Sequence, residues 1–336
     1  SYSYFNPDLE GAMYEGRVYP ILQVRDGALM NYRWDELDLS GNMFKDLGSI
    51  GYEACMGNTK LKKVILGDNI KTIYDDAFAG CTNLTTVSLP IYIDEIGNRA
   101  FKNCDKLESV GTGFSLKYIG EEAFYGCTAL KGLYPPSNME SIGNRAFYGT
   151  GIDYFILTPN VTAVGEQAFA NTPNLRYFFE MHSSPSKVMV ALDMFLEADG
   201  TGKRDVTVIV PTGSLNSFKE SHWANVFDDI RDNTTGLILD NDTLLYRLDD
   251  NIQLIVAGYT IDTDIMTGHS SIVGLSPNCK NFDVEIHGIA EDLMGKGVEQ
   301  IGPLTFWPTK IGSRAFKDNK QLRSIDLTNM PWLEIE

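Results

Sequence analysis

The chain has 336 residues, of which 43% are hydrophobic and 22% are charged, and this balance excludes an intrinsically disordered protein. Its formal net charge of −17 would repel phosphate backbones and anionic lipid, which argues against nucleic acid and membrane surfaces as partners. No apolar run reaches the roughly 18 residues of a transmembrane helix, so we expect no membrane insertion.

Residues 1–49 are rich in aromatic side chains and lie outside the register of the repeat that follows. A stacked array needs a cap, because its terminal coils expose apolar edges. We therefore predict an N-terminal cap with a small β element around residues 17–24. The sequence ELDLSGN at 36–42 follows it as an atypical first strand.

A repeated octapeptide begins near residue 50, and its alanine returns at intervals of 23, 23, 23, 23 and 22 residues. The six alanines are Ala54, Ala77, Ala100, Ala123, Ala146 and Ala168. An isoleucine or valine stands four residues before each alanine, and a phenylalanine follows it in every copy but the first. A fixed period of this size predicts a solenoid of stacked coils.

An apolar triplet spaced L-x-x-V-x-L follows each alanine, as in Leu61, Val64 and Leu66. The last two positions share one face of a short strand, because side chains alternate with a period of two. One coil buries only its own slice, so several coils must stack with their strands in parallel. The pattern predicts a right-handed solenoid of the α/β repeat class, mostly β. Its buried column of phenylalanines is Phe78, Phe101, Phe124, Phe147 and Phe169.

The repeat weakens after residue 130. Pro135 stands where an inward strand residue belongs, and proline has no N–H to donate to a ladder, so we expect a local break. Apolar residues at helical spacing predict a helix over 183–200, ended by Gly200. The strand 206–211 then resumes the ladder.

Residues 213–230 predict a closing helix with Ser214 as its N-cap. Its apolar side consists of Leu215, Phe218, Trp223 and Phe227.

The last third of the chain predicts a β meander over 236–258 and then a second, shorter array. The octapeptide returns clearly at 311–327, while 284–286 and 289–302 have the pattern of a degenerate coil. We therefore divide the chain into three parts. These are an N-terminal cap at 1–49, an array with a helical closing cap at 50–235, and a β lead-in with a second short array at 236–336.

The sequence IYDDAFAGCTNLTTVSLP at 73–90 follows the pattern IGxxAFxxCxxLxxVxLP. It resembles the BspA-like (Treponema-type) leucine-rich repeat over residues 50–180, and again over 311–327. Members of that family are secreted or attached to the cell surface, and some act as adhesins toward host proteins. The resemblance therefore implies an extracellular or cell-surface location, although no signal peptide is recognisable in the sequence.

The sequence shows no pattern of a catalytic, cofactor or metal site, so we expect neither an enzyme nor a bound cofactor. Cys81, Cys104 and Cys127 share one repeat position that holds Asn58 and Thr150 in other coils, which indicates a small, weakly polar filler. Parallel stacking would place successive thiols about 5 Å apart at Cα, which leaves a disulfide open. Zinc would need four converging ligands, and no such spacing is present.

Outward strand positions form a face that leucine-rich arrays use for recognition, here called the concave face. In the early coils these positions are mostly small or polar, whereas in the later coils they are aromatic or apolar. The candidate ligand-binding residues are Tyr134, Tyr154, Ile156, Tyr177 and Phe179. Clustered aromatic side chains are typical of binding hot spots. Alternatively, segment 182–205 folds over them and makes them a local core.

Two functions fit this sequence. The first is a protein-binding or adhesion module whose concave face binds a protein ligand, with a host extracellular or surface protein as one candidate. The second is a structural spacer within a larger surface protein, with no ligand of its own. An exposed apolar patch on the concave face would favour the first, because a spacer has no use for one. The oligomeric state and the identity of a ligand do not follow from the sequence.

Overall fold

The computed structural model describes residues 24–232, except for 31–32, 34, 112–114, 134–135, 137, 188, 191–193, 196–205 and 212. It also describes the strands given below on either side of this range, and residues 315–317 and 322–323. The chain divides into two compact units, Ser1–Arg231 and Asp232–Glu336. Near the N-terminus, strands β1 (Ala12–Tyr14) and β2 (Arg17–Tyr19) form an antiparallel hairpin.

One wall of the first unit, the short-strand wall, is a parallel ladder of two-residue strands, one from each coil. Among the described residues, the inward residue that closes each strand is the isoleucine or valine of the repeat, and it is buried wherever its side chain is described. The seven strands are β4 (Ser49–Ile50), β6 (Thr72–Ile73), β8 (Glu95–Ile96), β10 (Tyr118–Ile119), β11 (Ser141–Ile142), β13 (Ala163–Val164) and β15 (Met189–Val190). The first unit is thus a mostly-β parallel solenoid, as the repeat predicts.

The short-strand wall begins before residue 50. Val24 forms a parallel bridge with Ile50, and the N–H of Leu29 donates to the carbonyl of Ala54 at 2.7 Å. Gly27 and Glu53, which share the same place in successive coils, both have a left-handed backbone, with φ of 64° and 54°. Residues 24–30 therefore make the same turn as the regular coils.

The opposite wall, the long-strand wall, consists of two sheets of four strands each. The first contains β3 (Glu36–Asp38), β5 (Lys63–Ile65), β7 (Thr86–Ser88) and β9 (Ser109–Gly111). The second contains β12 (Tyr154–Leu157), β14 (Tyr177–Glu180), β16 (Thr207–Val210) and β17 (Asp229–Asp232). The pairs β3–β5, β5–β7, β7–β9, β12–β14 and β14–β16 are parallel. The middle residue of each strand in the first sheet is buried and its neighbours are more exposed, which confirms the predicted alternation. The outward side of this wall is the concave face.

The long-strand wall is interrupted between β9 and β12. Residues 132, 133 and 136 are described and are not in a strand, although the side chain of Leu133 is fully buried. Pro135, where we expect a break, lies outside the described residues. Leu133 thus keeps its place in the core outside a strand, and the N–H of Lys131 still donates to Glu108 O of the preceding coil at 3.4 Å.

The predicted phenylalanine column is confirmed and lies between the two walls. The rings of Phe78, Phe101, Phe124, Phe147 and Phe169 are all fully buried. Successive centroids are 5.3–5.5 Å apart and the planes differ by only 2–9°. This spacing exceeds the distance between paired strands only slightly, so each ring packs on the ring of the next coil.

The predicted helix over 183–200 is wrong. Its described part contains a short 3-10 turn (Pro185–Lys187), strand β15 and a turn at 194–195. The N–H of Phe169 donates to Met194 O at 2.8 Å, as the N–H of Phe147 donates to Ala168 O. Met194 and Phe195 therefore take the Ala-Phe place of one more coil, and the Phe195 ring extends the column at 5.5 Å.

The array closes with helix α1 (Leu215–Lys219) and a 3-10 turn at His222–Asn225. Phe218, Trp223 and Phe227 are buried, as predicted, and Trp223 packs 6.1 Å from Phe178 in the core. Ser214 stands at the N-cap position, but its hydroxyl donates to the carbonyl of Pro211 instead of capping the helix.

In the second unit, β18 (Ile238–Asp240), β19 (Leu244–Leu248) and β21 (Ile265–Leu275) are antiparallel neighbours, in that order. Strand β20 (Gln253–Ile255) pairs with β21, so the predicted meander is only partly formed. The remaining strands are β22 (Asp283–Glu285), β23 (Glu299–Ile301), β24 (Leu304–Ile311), β25 (Ser324–Asp326) and β26 (Glu334–Ile335).

Parallel pairing occurs in this unit, as the predicted second short array requires. Ile311 pairs with Ile272 before it and with Ile335 after it, while Val284 pairs with Ile325. Strand β23, by contrast, is antiparallel to β24, so the end of the segment 289–302 is not a coil strand.

Candidate functional site

The early half of the concave face, formed by β3, β5, β7 and β9, is mostly polar. Lys63 lies 3.2 Å from Glu36 on the neighbouring strand, and both side chains are about half exposed. The residues that follow in β7 and β9 are small, and Ser88, Ser109 and Gly111 are exposed. Exposed pairs of this kind contribute little to stability, so this surface is available for contact without disturbing the core.

The late half of the concave face carries the predicted aromatic residues. The register places Tyr154 beside Tyr177 and Ile156 beside Phe179, as expected. Tyr154, Ile156 and Phe179 are only 7%, 3% and 1% exposed, whereas Tyr177 is half-buried. Tyr134 lies outside the described residues. In this arrangement Tyr177 is open to a ligand, and the other three side chains are packed.

Gly132 explains part of the packing of Tyr154. A Cβ atom on Gly132 would lie 2.6 Å from the Tyr154 hydroxyl oxygen, so the tyrosine occupies the space that a side chain at 132 would fill. Tyr154 thereby packs over the preceding coil at a place where residues 132 and 133 are not in a strand.

Three polar side chains beside Tyr177 extend the candidate site. Thr207, the strand neighbour of Tyr177, donates from Oγ1 to Asp229 Oδ2 at 2.9 Å. Arg231 donates from Nε to Asp229 Oδ1 at 2.8 Å, and its second nitrogen lies 2.7 Å from Oδ2. The Arg231 contact is the main reason that the pKa of Asp229 is lowered, so the pair stays charged. Sequence reasoning missed this pair because it assigned 213–230, which includes Asp229, to a closing helix; the alternation in DIRD, with Ile230 buried, was the available signal.

A second notable feature is a buried acid–histidine pair at the end of β14. Glu180 is fully buried at a place where the paired strand has Leu157, and His182 is 2% exposed. The Nδ1 atom of His182 contacts Glu180 Oε1, which also accepts the His182 backbone N–H at 2.7 Å. Burial raises the pKa of Glu180, and the contacts with His182 oppose this shift. Within the described part of the chain, Glu180 Oε2 and His182 Nε2 have no hydrogen-bond partner.

Replacing Glu180 with glutamine is expected to change how stability depends on pH. Because the folded-state pKa of Glu180 is raised above 4.5, folding favours its protonated form. The stability of the wild type relative to Glu180→Gln should therefore be highest in acid and fall as the pH rises through the raised pKa. Urea denaturation of both proteins between about pH 4 and pH 8 measures this difference. The exposed Glu108→Gln variant is the control, and an equally flat difference for both variants would contradict the expectation.

The cysteine column is structural. Cys81, Cys104 and Cys127 form this column, and Cys55 stands in the phenylalanine place of its coil. All four are buried free thiols, and no disulfide joins them. The thiol of Cys104 donates to Phe78 O of the preceding coil at 3.2 Å, while Thr150 in the same column donates to Phe147 O at 2.8 Å. Burial raises the pKa of the Cys104 thiol well above its usual value. Each small donor therefore satisfies a buried carbonyl.

Across the described residues, no group of three or more His, Cys, Asp or Glu side chains is placed to hold a metal ion. No helix in the described part of the chain is long and apolar enough to span a membrane.

Comparison with known families decides what the repeat is. The family model of the BspA-type leucine-rich-repeat region matches residues 48–176, in six copies. Residues 48–176 are therefore a BspA-type leucine-rich-repeat region. Residues 24–30 at one end of the array, and 189–190 and 194–195 at the other, continue its pairing and lie outside the matched range.

Several solved structures are similar to the chain. A leucine-rich-repeat protein of T. pallidum is 24% identical, over 46% of this chain and 78% of that one, with a TM-score of 0.41. A leucine-rich-repeat protein from Bacteroides ovatus is 17% identical, over 66% and 67% of the two chains, with a TM-score of 0.33. A leucine-rich cell surface protein from Faecalibacterium prausnitzii is 18% identical, over 60% and 61%, with a TM-score of 0.36. No curated protein sequence matches the chain.

Proposed function

We propose that the protein is an extracellular or cell-surface protein-binding module and that its concave face contacts the ligand near Tyr177. Tyr177 and Arg231 carry this proposal, because a half-buried tyrosine and a half-exposed arginine lie together on the same rigid sheet. Tyrosine and arginine are enriched in binding hot spots. The BspA-type repeat supports the choice of a protein ligand, as does the surface location of similar proteins.

Three other predicted residues lie beside Tyr177 on the same face of the sheet and support this contact. Tyr154, Ile156 and Phe179 pack against each other's strands and hold β14 in place. Asp229 fixes the guanidinium of Arg231 through two oxygens, which restricts its rotamers before a ligand arrives. A site that is already ordered loses less entropy on binding than a flexible one.

The test is retention of the protein on surfaces coated with fibronectin, laminin, collagen or mucin. The wild type is expected to bind at least one of them, and the Tyr177→Ser/Arg231→Ala variant to lose about ten-fold or more in affinity. The matched control is Thr86→Ala/Ser109→Ala, at the other end of the concave face, and it should bind like the wild type. Thermal denaturation of each variant confirms that folding is retained.

A structural spacer is the alternative function, and one observation favours it. Among the described residues, the large apolar side chains that are exposed lie away from the long strands of the concave face; they are Met30, Tyr52, Met56, Tyr92 and Tyr118. If the wild type binds none of the four surfaces, or if the two double variants bind equally well, the concave-face proposal is wrong and the spacer function gains support.

A further inference from the structure

The short-strand wall carries a groove that has no part in the concave face. Its volume is about 640 Å³, and four consecutive coils line it. Strands β8, β10, β11 and β13 supply its outward residues, while Asn98, Glu121 and Asn144 supply one side. Three intervals between paired strands make the groove about 14 Å long, which is the length of about four residues of extended chain.

A column of glycines forms the floor of this groove. A Cβ atom on Gly120, Gly143 or Gly165 would lie 2.5–2.6 Å from backbone atoms of the preceding coil. These positions therefore exclude side chains for a steric reason, and the floor stays open along the array. The groove is a permanent feature of the coil packing and needs no rearrangement to admit a ligand.

The groove is acidic. Its lining includes the exposed carboxylates of Glu95 and Glu121, and it includes no lysine or arginine. Lys117 and Asp94 directly precede Tyr118 and Glu95 in the chain. Lys117 Nζ lies 4.0 Å from Asp94 Oδ1, so these two charges largely offset one another. The chain as a whole carries a net charge of −17, which adds to the attraction of a cation into the groove.

An exposed aromatic ring stands in this acidic groove. Tyr118 is 42% exposed and is the strand neighbour of Glu95. Its hydroxyl donates to Glu140 Oε2 at 2.7 Å, and this hydrogen bond raises the pKa of Tyr118, so the hydroxyl stays protonated. The hydrogen bond fixes the ring edge, and the free ring face is suited to a cation–π contact.

We propose that this groove binds an extended basic segment of a partner protein, with an arginine or lysine side chain on the Tyr118 ring beside Glu95. The carboxylates supply charge complementarity, and the open glycine floor admits the peptide backbone. Asn144 lines the groove; its Oδ1 accepts the Glu166 N–H at 2.9 Å, and its amide nitrogen supplies a donor for that backbone. This inference does not depend on the concave-face function, because the two surfaces share no residue.

The probe is the peptide acetyl-Gly-Arg-Gly-Arg-Gly-amide, titrated into the full-length protein by isothermal calorimetry. Its control is the same peptide with citrulline, a neutral isostere, in place of both arginines. Binding of the arginine peptide is expected at concentrations below about 1 mM, and it should weaken as salt is added. The citrulline peptide is expected to bind at least about ten-fold more weakly, because it keeps the shape and loses the charge.

Two groove variants and two matched variants locate the contact. Tyr118→Leu and Glu95→Gln are each expected to weaken binding about three-fold or more. Tyr92→Leu and Glu108→Gln change an exposed tyrosine and an exposed glutamate outside the groove, and they should bind like the wild type. The proposal is overturned if the arginine peptide does not bind, if the citrulline peptide binds equally well, or if groove and matched variants have the same affinity. All four changed side chains are exposed, so loss of folding is not expected.

Discussion

Replacing Phe124 with alanine is expected to lower the free energy of unfolding by about 3–5 kcal/mol. The Phe124 ring is fully buried and stacks between Phe101 at 5.4 Å and Phe147 at 5.5 Å. Its removal leaves a cavity in mid-array, and the two neighbouring rings cannot close it because each is held in its own coil. The measurement is urea denaturation followed by circular dichroism.

Cys127→Thr is the matched control for this variant, since Cys127 is buried in the same coil and threonine occupies its column at 150 and 172. We expect a change of less than about 1 kcal/mol, because a small hydrogen-bond donor is kept. If Phe124→Ala proved as mild as Cys127→Thr, the ring column would not be the main source of stability.

Replacing Gly143 with alanine is expected to destabilise the array by roughly 3 kcal/mol, although only one methyl group is added. The new Cβ would lie 2.6 Å from Glu121 N and from Gly120 C, both of which are backbone atoms of the preceding coil. Neither atom can move without separating two coils. Because the short strands of both coils are paired, the clash also disturbs the ladder hydrogen bonds on either side.

Gly48→Ala is the control for this second variant, since nothing lies within 4 Å of a Cβ at that position and its φ is not left-handed. It should be neutral or stabilising by up to about 1 kcal/mol, because alanine reduces the entropy of the unfolded chain. Thermal and urea denaturation of both variants measure the difference. Equal effects at Gly143 and Gly48 would show that the coils separate more easily than their packing indicates.

Most of the first unit follows from the spacing of its apolar residues. The 23-residue period places Phe78 to Phe169 in one column and Tyr154 beside Tyr177, and the structure confirms both. Such positions are predictable because each coil buries the same set of apolar residues, and this shared set determines the register in which the next coil stacks.

The errors occur where the same spacing fits two structures. Val190, Met194 and Phe195 continue the Ile/Val, Ala and Phe places of the repeat. Val188, Leu192 and Phe195 are also four and three residues apart in the sequence, which is the spacing of one helix face. The larger Met194 in place of alanine weakens the match to the repeat. Here the stacking of one coil on the next determines the secondary structure, and this stacking cannot be deduced from the segment alone.

The candidate site was harder to predict than the fold. Alternation along a strand gives the direction of Tyr154, Ile156 and Phe179, but their burial depends on what packs over that face. The burial of Glu180 also depends on what packs over that part of the strand. It was not predicted, because a glutamate is ordinarily expected to face solvent. Such features depend on contacts between distant segments, which the repeat does not encode.

Backbone hydrogen bonds in the regular part of the array run from each coil to the next at the same places, as with Phe101 N to Ala123 O and Phe124 N to Ala146 O, both 2.8 Å. The surface by which each coil in this part pairs with the next coil is therefore equivalent to the one by which it pairs with the preceding coil. A duplication or deletion of one whole 23-residue period would rejoin the ladder without a new kind of contact. The number of coils is thus free to change by unequal recombination, and the distance between the two ends of the array can evolve in steps of one strand spacing, about 4.8 Å.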